Sequence, residues 1–111
     1  MAKIIKCIVK RPDEQFGHMT LVSDSLENLQ KTVGGYIGTV TLDNGVVLIC
    51  NEGAIRQPPY NFTLRRMVHT FLPVSNPIFG TVIACGGDGG KFADIPIDFN
   101  EWKSLLCEWG N

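Results

Sequence analysis

The chain has 111 residues, 44% apolar and 19% charged, with a net charge of −1. That balance predicts one globular domain over residues 1–111, with enough buried surface for a single core and no need of staples. No stretch is strongly basic, which argues against stable nucleic-acid binding, because phosphate-dominated affinity needs clustered Lys and Arg. No run approaches the roughly 18 apolar residues of a membrane span, and the first residues lack signal-peptide architecture, so the expected location is cytoplasmic.

In chain order, residues 3–10 are rich in β-branched side chains and read as a strand stopped by Pro12. Residues 13–17 are a turn, where Asp13 and Glu14 are expected as solvated charge, and residues 18–22 are a second strand paired with the first. Ser23-Asp24-Ser25 offers capping oxygens, with Glu27 at a capping-box spacing from Asp24. Leu26, Leu29 and Val33 recur at helical spacing, and Gly34 is placed to end that helix in a left-handed conformation. Residues 36–42 and 46–50 read as a hairpin joined by Asp43-Asn44-Gly45, with Asn-Gly as the turn signal because both central residues of a type I′ turn need positive φ. The segment 46–50 is apolar on both faces, so it belongs in the interior of a sheet.

Residues 51–77 are irregular, broken by Pro58-Pro59, and 64–72 fits either a short strand or a helix. Residues 78–85 return as a strand leading into the glycine-rich run 86–90. Asp98 with Glu101 caps a last helix, on which Phe99, Trp102, Leu105, Leu106 and Trp109 share one face. The predicted architecture is α+β: a mainly antiparallel sheet, the 36–50 hairpin at its centre, and both helices packed on one face.

Candidate chemistry is sparse. A phosphate loop would need Gly-Lys-Ser/Thr opening into a helix, but Lys91 is followed by Phe92 and Pro96 precedes the helix, so 86–90 reads as a hairpin tip. His18 and His69 have no ligand-spaced neighbours, and Cys7, Cys50, Cys85 and Cys107 form no C-x-x-C pair. No metal or cofactor is expected, and four reduced, buried thiols are. A Cys/His nucleophile pair can meet only in space, which the sequence leaves open. Trp102 and Trp109 suit either core packing or an oligomer interface. The remaining constellation is Gly34, Gly35 and Tyr36 entering one strand, Asn51 and Glu52 leaving its partner, and Arg56 and Asn61 beyond. The hairpin brings these to one sheet end. A stacking face, polar side chains, a cation and room for close backbone approach make up a small-ligand rim, though turn residues gathered at a sheet end look the same.

The pattern Leu26-x-x-Leu29-Gln30-x-x-Val33-Gly34-Gly35-Tyr36-Ile37, then Leu42-Asp43-Asn44-Gly45, Asn51-Glu52, Pro58-Pro59-x-Asn61 and Ile78-x-Gly80-Thr81-Val82 resembles a domain-of-unknown-function family common in phages, plasmids and integrative elements. The resemblance spans about residues 24–85 and implies mobile-element origin without supplying an activity. Together these readings lead to a non-enzymatic binder of a small nucleotide-like ligand, such as a phage protein sequestering a nucleotide immune signal, acting as a homo-oligomer. The alternative is a protein-binding inhibitor or accessory factor that docks through residues 53–77 or the C-terminal aromatic helix.

Overall fold

In the computed structural model, residues 3–42, 45–51, 60–64, 76–88 and 91–109 are described; the side chains of 60–64, 76–79, 88 and 105–109 are not. Strands β1 (Lys3–Lys10) and β2 (His18–Asp24) form an antiparallel hairpin. Helix α1 (Leu26–Val33) follows, then the hairpin β3 (Ile37–Thr41) and β4 (Val46–Asn51). Strands β5 (Tyr60–Leu64) and β6 (Asn76–Phe79) belong to a separate three-stranded sheet. Strands β7 (Val82–Asp88) and β8 (Lys91–Ala93) return to the main sheet, and helix α2 (Phe99–Leu105) and strand β9 (Leu106–Trp109) complete the order.

The main sheet runs β2-β1-β7-β4-β3, with β8 paired to β7, and all its pairings are antiparallel. The second sheet runs β6-β5-β9. The α+β class and the mainly antiparallel sheet are as expected. Strand β4 is interior, as its doubly apolar sequence requires, but β3 borders the sheet and β7 takes the centre. The hairpin is therefore off-centre.

The helices do not share a face. Alternation along the strands sends Ile5, Cys7, Val9, Val47, Ile49, Ile83 and Cys85 to one side, where Leu29 and Val33 of α1 cover them. It sends Ile8, Val46, Leu48, Val82 and Ala84 to the other, where Ile95, Ile97 and Trp102 lie. The expectation of two helices on one face is thus corrected. A sheet apolar on both sides needs a cover on each, and burying each such side chain contributes about 1.5–3 kcal/mol. The chain reaches the second face by crossing over Gly86. A Cβ there would collide with the carbonyl oxygen of Asp94 and lie 3.4 Å from Pro96 Cδ. Immediately beyond, Ile95 N donates to Lys6 O at 2.8 Å and Asp94 Oδ1 accepts from Lys6 N at 2.8 Å. The glycine run does lead into the hairpin expected there, β7 pairing with β8 up to Asp88 and Lys91, and Gly86 carries the strand crossing besides.

Local signals were partly re-assigned. The N-cap of α1 is Ser25, whose side chain accepts from Asn28 N at 3.2 Å, so Asp24 and Glu27 do not make the cap pair. Gly34 caps the C-terminus at φ 87°. Leu26 is 60% exposed, and the two-turn helix docks through Leu29 and Val33 alone. The β3–β4 loop closes on Leu42 and Val46, leaving residues 43–45 between the strands as the sequence anticipated, with Gly45 at φ 89° and Asp43 and Asn44 outside the described residues. The expected 78–85 strand is broken at Gly80, φ 74°, where the chain changes sheets.

The last helix ends at Leu105, with Asp98 Oδ1 capping Glu101 N at 2.8 Å as anticipated. Beyond it Leu106 and Trp109 are in β9, paired with Leu64 and Phe62 of β5, so the five-residue helical face is not formed. Trp102 is completely buried and its indole Nε1 donates to Phe16 O at 2.7 Å. Glu14 is more than solvated charge. It accepts from Arg11 N and bonds His18 Nδ1, both at 3.0 Å, and so braces the β1–β2 connection.

Candidate functional site

Helix α1 delivers Gly34, Gly35 and Tyr36 to the end of the main sheet where β3 begins and β4 finishes. The register pairs Ile37 with Asn51, so the last residue of β4 lies beside the entry to β3. A Cβ on Gly35 would be 2.8 Å from Asn51 Oδ1 and 2.9 Å from Asn51 Nδ2, and one on Gly34 would be 3.8 Å from that Nδ2. The absence of a side chain at Gly35 is what lets the Asn51 amide lie flat against the backbone. Tyr36, next in the chain, is 78% exposed. A phenol ring on an open surface thus stands at the same sheet end as a half-buried primary amide.

One expected role changes. The N–H groups of Gly34 and Gly35 both donate to Gln30 O, at 2.8 and 3.0 Å, completing the end of α1. They are therefore not aimed at a ligand, and the glycines contribute room rather than donors. The signal for this was legible, because two glycines directly after a helix commonly return both amides to its last turn. Glu52 and Arg56 lie outside the described residues. Asn61 lies in β5, in the second sheet, and its side chain is likewise outside the description. Of the seven rim residues, the structure joins Gly34, Gly35, Tyr36 and Asn51.

Other reactive groups are placed for packing. Cys7 and Cys85 are buried on the face under α1, and Cys50 is partly buried; all three are free thiols. Burial, reinforced by Asp94, pushes the Cys7 thiol up to about 11, and burial with Cys7 and Asp24 nearby pushes Cys85 to about 12. Such thiols are poor nucleophiles at neutral pH. Cys107 and His69 fall outside what is described. Among the described residues, no three His, Cys, Asp or Glu side chains gather as a metal site, and no helix is long and apolar enough to cross a membrane. A residue that composition did not single out is Lys10, which has no exposed surface; burial lowers its pKa to about 8 against the pull of Glu14 and Asp13.

These features define a small α+β sheet domain with a polar and aromatic rim at one sheet end. The chain belongs to the family described as Domain of unknown function (DUF3846), whose model matches residues 5–106. No curated protein and no solved structure matches it.

Proposed function

We propose that this protein binds a small nucleotide-like molecule at the β3–β4 sheet end and holds it without altering it. The observation that carries the reading is the exposed ring of Tyr36 at the same sheet end as the Asn51 amide, which lies against Gly35. An exposed aromatic face stacks on any base, and a primary amide reads polar base edges with both a donor and an acceptor. Arg56 supplies the charge-assisted contact to a phosphate in this reading, and Asn61 a second amide. Holding a ligand needs neither a nucleophile nor a metal. The biological setting proposed is a phage or other mobile element, in which sequestering a nucleotide immune signal protects the element from its host. A useful trap works near nanomolar Kd, about −12 kcal/mol, which favours a site completed by a second subunit.

The test is incubation with a panel of cyclic and ADP-ribose-type nucleotides, then removal of free ligand, heat denaturation and mass analysis of what is released. Recovery of an intact nucleotide that is lost in Tyr36→Ala and Asn51→Ala supports sequestration. A chemically changed product contradicts it. Failure to retain any member leaves a protein partner as the better reading.

A further inference from the structure

At the opposite border of the main sheet, β2 is the last strand among the described residues. Lys6 directs both its backbone N–H and its C=O away from β2, toward Asp94 and Ile95. By alternation, Lys3, Ile5, Cys7 and Val9 turn theirs to β2, where they face Asp24, Val22, Thr20 and His18. The backbone groups of Met19, Leu21 and Ser23 therefore point outward, along a seven-residue edge without proline. The same edge carries exposed apolar surface. Leu21 is 68% exposed and lies opposite Lys6, one diagonal step from Ile4, which is 57% exposed.

We infer that β2 pairs antiparallel with β2 of a second copy about a two-fold axis at Leu21, joining two main sheets into one. The sequence of the edge is self-complementary in this register. Leu21 meets Leu21 of the second copy, and Met19 meets Ser23, all with outward-facing backbone groups, so the hydrogen-bond pattern closes. His18 meets Asp24 at both ends, in positions whose backbone groups face inward. Such pairs have the closer Cα spacing of about 4.5 Å, bringing imidazole and carboxylate together. A register shifted by two residues loses both imidazole–carboxylate contacts and the leucine contact. Carbonyl Ser23 O already accepts from Asn28 Nδ2 at 3.0 Å, and its second lone pair serves the new strand. The interface expected from the C-terminal helix is not this one, since Trp102 is internal, and the pairing is independent of the ligand proposal.

Sedimentation of the full chain over a micromolar concentration series tests the pairing, alongside amide exchange. Twice the chain mass is expected at the upper end, with Met19, Leu21 and Ser23 amides slowed by about tenfold or more relative to the dilute sample. Leu21→Lys, which sets two ammonium groups against each other at the axis, should return the chain mass with an unchanged circular dichroism spectrum. Asp24→Asn, which removes the carboxylate that each imidazole meets, should weaken the dimer while leaving β1–β2 pairing intact. The wild type remaining at single-chain mass overturns the inference. So does a dimer that survives Leu21→Lys, or amides whose exchange ignores concentration.

Discussion

Trp102 Nε1 reaches back across 86 positions of sequence to donate to the carbonyl of Phe16. This bond ties α2 to the turn between β1 and β2, and Lys103 strengthens the tie by holding Nζ 5.4 Å from the Phe16 ring and 5.6 Å from that of Phe99. Trp102→Phe deletes the donor, orphans a carbonyl and leaves a void among Ile8, Leu48 and Ile97. The expected cost is about 2 kcal/mol or more. In a domain of this size that lowers Tm by on the order of 10 °C, which a thermal melt measures.

Gly86 and Gly35 are both crowded, but by different kinds of atom. At Gly86 the obstacle is the Asp94 backbone, which cannot move without dragging Ile95 off Lys6. At Gly35 it is the end of the Asn51 side chain. Gly86→Ala should therefore destabilise by about 2 kcal/mol or more, and Gly35→Ala by clearly less, since a side chain can turn aside. Denaturant midpoints compare the two. Equal losses would mean that the crossing at Gly86 is not rigid.

Lys10 makes stability depend on pH. Its folded pKa is depressed to about 8 from an ordinary 10.5, so above pH 8 the unfolded chain binds the proton more readily than the folded one. Stability should rise with pH from about 8 upward. Melts between pH 7 and 9 should show that rise in the wild type and a flatter profile in Lys10→Met.

The buried thiols act in the other direction. Cys7 and Cys85 have folded pKa values raised from 9.0 to about 11 and 12. Their contribution is whole below pH 9 and is lost as pH climbs through those values, because only the unfolded chain readily becomes thiolate. At neutral pH, native Cys7 and Cys85 should resist iodoacetamide and react fully in denaturant, as mass spectrometry of digests reports. Rapid native labelling of either would show that α1 opens far more easily than its packing implies.

Much of the fold was legible from local pattern. The strand 46–50 declared its interior place by being apolar at every position, and Gly34 declared the end of α1. What local pattern could not decide was the side of the sheet. Leu29 and Trp102 each announce a buried stripe, but a sheet apolar on both faces accepts either. The choice is made by Gly86, through a crossing that no periodicity encodes. Leu106 and Trp109 fit a helical spacing and nonetheless form β9, because pairing with Phe62 and Leu64 is a long-range contact. At the site, the hairpin correctly placed Gly35 beside Asn51, whereas the use of the glycine amides by Gln30 overrode their expected role.

The most direct test of the binding account is a ¹H–¹⁵N NMR titration of the full chain with the nucleotide panel. A ligand should shift the resonances of Gly34, Gly35, Tyr36 and the Asn51 side-chain amide first, with the effect abolished in Tyr36→Ala. Shifts that cluster elsewhere on the sheet, or a Tyr36→Ala protein that binds as tightly as the wild type, would contradict it.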